Sequence, residues 1–150
     1  MKYPRIILGL IVIGFVMVSC TPSAPSTLEI MDTLLTNVNE RDLEGVVTLF
    51  AEDGVYQNSY ENESYYGTEE IEHYWKTWYF PDPFITDFRD ISVEGDSATF
   101  IWANVGTSYP GAQVSKTFTE LWPVIIEVQN GKITNLDFYE DAEIIVTIDE

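Results

Sequence analysis

The spacing of apolar residues passes from mainly helical to strand-like at Pro81-Asp82-Pro83, and that change constrains the fold more than any other feature. Before it, Leu28, Met31, Leu34, Leu35 and Val38 recur on one face of a helix. Ser26-Thr27-Leu28-Glu29 supplies a capping box at the start of that helix. Asp42 is placed to cap a second, shorter helix carrying Leu43, Val46, Val47 and Phe50. Ala51–Gly54 reads as a turn, Val55–Asn58 as the start of a strand, and Ser59–Tyr66 as a polar, tyrosine-rich loop. Thr68 is the expected N-cap of a third helix. Glu69 and Glu70 sit in its first turn, where negative charge suits the helix dipole, and Ile71, Tyr74, Trp75 and Trp78 form its buried stripe. After the prolines, Phe84–Val93, Ser97–Ser108, Val114–Gln129 and Lys132–Tyr139 read as antiparallel strands. Turns fall at Glu94-Gly95-Asp96, at Tyr109-Pro110-Gly111 and at Asn130-Gly131, a strong hairpin signal. Trp122-Pro123 is a candidate bend, and Ile144–Ile148 is apolar enough for a short last strand or packed tail. Helices followed by a strand meander give an α+β layout, with the helices on one face of a bent sheet.

The first nineteen residues are an address and not part of that fold. Lys2 and Arg5 precede an uncharged apolar run, Ile6–Val18, that ends in Met17-Val18-Ser19-Cys20. This is the layout of a secretory signal, and the run is shorter than the roughly twenty residues a membrane-spanning helix needs. Val18-Ser19-Cys20 resembles the lipobox of bacterial lipoproteins, in which the cysteine is acylated and becomes the mature N-terminus; Met17 stands where that motif usually has Leu. The resemblance implies cleavage before Cys20 and an extracytoplasmic domain anchored to the bacterial membrane by lipid on Cys20. Residues 20–27, with the Pro/Ser-rich stretch Thr21–Thr27, then act as a tether, and residues 28–150 form the folded domain.

Charge and cysteine count remove other classes. Seven Lys and Arg against 25 Asp and Glu leave a formal charge of −18, which suits neither a nucleic-acid partner nor a body lying on anionic lipid. One cysteine excludes an internal disulfide framework and a four-cysteine zinc site, and no spacing of His, Cys or acids suggests a metal or cofactor. A hydrophobic fraction of 45%, with 14% aromatic residues, is that of a folded core.

Three stretches carry a family resemblance: Asn39-Glu40-Arg41-Asp42-Leu43-Glu44-Gly45, Leu49-Phe50-Ala51-Glu52-Asp53-Gly54, and Tyr66-Gly67-Thr68-Glu69-Glu70-Ile71 with Tyr74-Trp75. Together with Asn130-Gly131-Lys132-Ile133 they resemble, from Thr27 to Asp141, the SnoaL-like branch of the nuclear transport factor 2-like superfamily. The resemblance implies a cone-shaped, strongly bent antiparallel sheet with the N-terminal helices packed on its concave face. It says little of activity, since this fold hosts enzymes and binders alike. Ketosteroid isomerase, a relative, uses an Asp base, a Tyr and a protonated Asp. The resemblance carries these positions onto Asn58, Leu34 and Val124. None of the three can do the corresponding chemistry, an amide being no base at neutral pH.

Strand alternation supplies candidates for a ligand pocket. If Val124 points inward, so do Trp122, Glu120 and Phe118; Trp102 and Asn104 share that face from the neighbouring strand, Tyr56 and Asn58 from the first strand, and Trp75 and Trp78 from the third helix. These side chains either line a small-molecule pocket or simply fill the core. Glu120 is the one carboxylate on its inward stripe, a candidate general acid or base unless it is solvated or paired with Lys116. His73, the single histidine, is a candidate partner in a catalytic dyad of the kind found in scytalone-dehydratase-like relatives, or else sits on a helix flank. Three functions stay open: a lipid-anchored binder of a small apolar or aromatic ligand without catalysis; a SnoaL-like acid–base enzyme (isomerase, dehydratase or cyclase type); and an assembly module, dimeric through an outer sheet face bearing Leu121 and Ile125.

Overall fold

Ser26 and Glu29 close their capping box, each side chain serving the other's backbone N–H, and start helix α1 (Thr27–Glu40). The computed structural model describes residues 23–82, 84–107 and 116–148; the signal segment, Cys20 and the Tyr109-Pro110-Gly111 turn lie outside them. Ile30, Met31, Leu34 and Val38 bury one face of α1, while Leu28 is exposed. Arg41 ends the helix in the left-handed conformation, and Asp42 caps α2 (Leu43–Leu49) by accepting from the Gly45 N–H at 2.9 Å.

The chain then enters β1 (Phe50–Asn58) directly. The expected turn at Ala51–Gly54 is instead an irregular part of this strand: Phe50 pairs with Ile133 and Val55 with Asn135, so the intervening residues bulge out of the ladder. The tyrosine-rich segment is no open loop either. It turns back as β2 (Glu63–Tyr66), antiparallel to β1. Thr68 does not cap the third helix. α3 (Gly67–Tyr74) begins two residues earlier than that cap implies, after Tyr66, whose N–H is taken up by the Glu70 carboxylate at 2.8 Å.

A π-turn, Trp75–Tyr79, follows α3 and is closed by the Phe80 N–H donating to the Trp75 carbonyl at 2.9 Å. The wider turn shifts the phase of the helix. Tyr79 now stacks near Trp75, with centroids 4.5 Å apart, and Trp78 is turned outward, 63% exposed. An uninterrupted α-helix would have kept Trp78 in the stripe, as its spacing predicts.

β3 (Ile85–Glu94), β4 (Ser97–Thr107), β5 (Lys116–Gln129), β6 (Lys132–Phe138) and β7 (Glu143–Ile148) complete a curled, unclosed sheet of order β2-β1-β6-β5-β4-β3, with β7 pairing β5. The pairs are antiparallel except β1 with β6, which is parallel, so the sheet is mixed. This is the α+β architecture expected, with the helices packed on the sheet face that carries the core. Pro123 lies where β5 changes partner: β7 pairs it up to Leu121 and β6 from Val124, so a residue without an N–H interrupts no ladder on that side. Asn130 and Gly131, both at positive φ, form the predicted tight hairpin. Gly131 is required there twice over, because a Cβ would also strike Pro25 at 2.6 Å. Thr27, expected to end the tether, is buried and donates to the Gly95 carbonyl in the β3–β4 turn.

One amide fastens α1 to the sheet. Asn39 Nδ2 donates to the Thr86 carbonyl at 2.9 Å, and the Thr86 N–H donates back to Asn39 Oδ1 at 2.8 Å. Thr86 is buried, so its backbone has no water to turn to. Asn39→Ala is expected to cost about 2 kcal/mol and to lower Tm by roughly 8 °C in a calorimetric melt.

Candidate functional site

β4 and β5 pair Phe100 with Val124, Trp102 with Trp122, Asn104 with Glu120 and Gly106 with Phe118. Their inner faces therefore run from a closed core at Val124 toward an open end at Glu120. At that end lies a cleft of about 200 Å³. Its floor holds Asn104 and Tyr79, and Trp122, Phe138, Tyr56 and Tyr74 form its walls. Trp78 and Phe84 stand at the cleft as well, with Asn58 and three carboxylates, Glu61, Asp82 and Glu120.

The floor is a closed hydrogen-bonded ring. Tyr79 Oη donates to Asn104 Oδ1 at 2.9 Å and lies 2.8 Å from Thr86 Oγ1, which is itself 3.0 Å from Asn104 Oδ1. The Trp102 indole N–H reaches both Tyr79 Oη and Asn104 Oδ1 at 2.9 Å. An indole N–H can only donate, so the Asn104 atom facing it is the oxygen. On the wall, Tyr56 Oη donates to Tyr74 Oη at 2.9 Å across rings stacked 4.3 Å apart. Burial pushes the Tyr79 phenol far up, against the opposing pull of its hydrogen bonds to Thr86, Trp102 and Asn104. Burial likewise raises Tyr56 well above the usual phenol range and Tyr74 to about 12. All three are neutral donors at physiological pH and none is a base.

Six of the residues singled out from the sequence line this cleft: Tyr56, Asn58, Trp78, Asn104, Glu120 and Trp122. The other three pocket candidates do not. Trp75 and Trp102 lie fully buried behind it as core, because the π-turn and the sheet close over them. Among the described residues the Trp75 indole N–H has no hydrogen-bond partner, and the rings of Tyr79 and Phe80 pack around that side chain. Phe118 covers Gly106, where a Cβ would meet its ring at 2.7 Å, and packs edge-on against Phe84. Glu120 accepts a long bond, 3.4 Å, from the Trp122 indole N–H. His73 is exposed and opens onto a separate surface depression with Ser64, Tyr65, Glu69 and Glu70, so the structure does not bring Glu120 and His73 to one cavity. Leu34 and Val124 are fully buried apolar side chains. Asn58 exchanges hydrogen bonds with Glu61, as donor to its carboxylate and as acceptor from its N–H. Among the described residues no three His, Cys, Asp or Glu side chains converge as a metal site would require.

Tyr74, Tyr79, Phe138, Phe84, Glu61 and Asp82 were not among the candidates. Tyr74 belongs to the helix stripe and Phe138 shares parity with Leu136, so both were within reach of periodicity. Tyr79 was not, since the π-turn alone brings it inward.

A family model described as a SnoaL-like domain matches residues 32–136. A search of curated protein sequences finds no match. Among solved structures, RV0760c from Mycobacterium tuberculosis is similar with a TM-score of 0.66 at 19% identity, over 85% of this chain and 99% of that one. A second structure of it, in complex with estradiol-17beta-hemisuccinate, gives 0.63 at 18% identity over 76% and 92%. A hypothetical protein with a ketosteroid isomerase-like fold from Catenulispora acidiphila, in complex with trimethylamine, gives 0.63 at 20% identity over 78% and 88%. The Delta 5-3-ketosteroid isomerase of a Mycobacterium species gives 0.63 at 19% identity over 80% and 97%.

Tyr74 supplies a pH test. Its phenol is 10.0 as a free group and about 12 in the fold, so its contribution to stability is complete below pH 10 and is lost as pH rises through 12. Tyr74→Phe is expected to flatten the loss of stability across that window, followed by circular dichroism, and to remove the phenolate absorbance that appears near its end. With a family model matching residues 32–136, well over half of its length, the chain belongs to the SnoaL-like domain family.

Proposed function

We propose that this protein is a lipid-anchored, extracytoplasmic binding protein whose SnoaL-like domain holds a small ligand in the Asn104–Glu120 cleft without acid–base catalysis. One observation carries the binding reading: a cleft with aromatic walls and a hydrogen-bonded floor that lacks a paired acid and base. Its phenols are held neutral, the single histidine opens elsewhere, and the positions the ketosteroid isomerase pattern needs are Leu34, Asn58 and Val124. Two proteins of this fold hold small molecules, a steroid ester in one and trimethylamine in the other. At about 200 Å³ the cleft is below the roughly 300–1,000 Å³ of sites for drug-sized ligands, which favours an occupant nearer the second in size.

The anchor reading rests on the signal-like segment and on Val18-Ser19-Cys20. Two or more acyl chains on Cys20, at about 0.8 kcal/mol per buried CH₂, would hold the domain at the membrane, while the charge of −18 keeps its body off anionic headgroups.

Protein extracted from its own membrane is expected to carry a small molecule that is seen in native mass spectra and lost on denaturation. Trp122→Ala, which opens the cleft wall, is expected to lower its occupancy several-fold, and no ketosteroid is expected to turn over above the rate in buffer. Equal native and denatured masses, with tryptophan emission unmoved by any small amine or aromatic compound, would overturn the reading. Cys20→Ala is expected to abolish incorporation of labelled palmitate and to shift the chain from the membrane to the soluble fraction. A wild-type chain that takes up no palmitate would remove the anchor.

A further inference from the structure

We infer that the ligand of the Asn104–Glu120 cleft is a small organic cation, an alkylammonium group seated among the aromatic rings with its charge met by the carboxylates at the same opening. This rests on the binding reading above and narrows it to one chemical class.

The argument begins with the sign of the lining. Glu61, Asp82 and Glu120 face the cleft, and among the described residues no Lys, Arg or His does. None of the three has an ion-pair partner among the described side chains, where the one salt bridge is Arg89–Asp87. The guanidinium near this end, Arg41, is already committed: it donates to the backbone carbonyls of Phe80, Asp82 and Phe84 and does not line the cleft. An anion entering here would meet three like charges inside a chain of net charge −18. A neutral apolar ligand would strip water from carboxylates and return nothing. A cation is the occupant that compensates them.

The rings point the same way. Seven aromatic side chains line the cleft, and the face of each π-system carries negative potential that attracts a cation at close range. A quaternary or alkylated ammonium, weakly hydrated and apolar at its edges, gains from both the rings and the acids. The floor adds a polar anchor. Asn104 Oδ1 is surrounded by donors from Tyr79, Thr86 and Trp102, which leaves the amide NH₂ as the group Asn104 can offer a ligand. That suits a ligand with a hydroxyl or ether oxygen a few bonds from its charge.

The test compares charge at constant shape. The full chain, purified in an uncharged maltoside detergent, is titrated calorimetrically with choline and with dimethylbutanol, the isostere in which carbon replaces the nitrogen. Choline is expected to bind about tenfold or more tightly than the alcohol. Glu120→Gln is expected to remove about tenfold of the choline affinity and none of the alcohol's, whereas Trp122→Leu weakens both. Raising salt from about 0.05 M to about 0.5 M is expected to weaken choline alone. A thermal melt of each variant checks that it is folded. If the alcohol binds as well as choline, the cation inference is overturned and the binding reading stands. If neither binds at millimolar concentration, the cation inference is overturned as well, and the binding reading is decided by the mass and emission measurements above.

Discussion

The hydroxyl of Tyr79 is where helix, sheet and cleft are joined. It comes from the π-turn, and its partners come from β3 (Thr86) and β4 (Trp102, Asn104). Trp102 and Asn104 are buried, so the indole N–H and the amide oxygen must find their partners inside the protein. A buried donor left unpaired costs roughly 1–3 kcal/mol, and the ring of bonds avoids that for several at once. The same contacts fix where the third helix sits on the sheet. Asn39 extends the fastening by clamping the backbone of Thr86 from α1. The floor of the cleft is thus rigid because it is also the joint between the layers, which is the support a binding site needs.

The size of the cleft follows from how the cone is filled. Trp75, Trp102, Phe88 and Phe100 occupy its interior as packed core, with Phe88 and Trp102 rings 4.8 Å apart. Among the described residues, the cleft opens beyond Trp122, where the inner stripe of β5 turns from apolar to Glu120 and that of β4 turns to Asn104. The alternatives of a filled core and a lined pocket are therefore both realised, at different depths. What is open is a polar-floored, aromatic-walled mouth and not a deep apolar cavity.

Around Glu120 at that mouth stand an amide, an indole, two further carboxylates and phenols kept neutral by burial. Their donors and acceptors are of the kind that orient a polar molecule by hydrogen bonding. The negative field of the whole chain is focused in such a concave site and would draw positive charge toward it.

Much of the fold was legible in the sequence. The capping box at Ser26, the cap at Asp42 and the Asn130-Gly131 turn are decided by bonds within three or four residues, so local chemistry sufficed. Strand parity was legible as well, because a side chain's face depends only on counting by two from a residue already assigned to the core. Three things were decided by tertiary structure alone. The pairing of β1 with β6 is parallel and joins residues some eighty positions apart, which no local pattern records. The β1–β2 hairpin forms from a polar, tyrosine-rich segment because its partner strand is already held in the sheet. The π-turn exchanges Tyr79 for Trp78 on the inner face, and its hydrogen-bonded partners lie on β3 and β4. Which strand residues face inward was set by the sequence; which helix residues join them, and which side chains enclose space or fill it, depended on the meeting of the helix end and two strands.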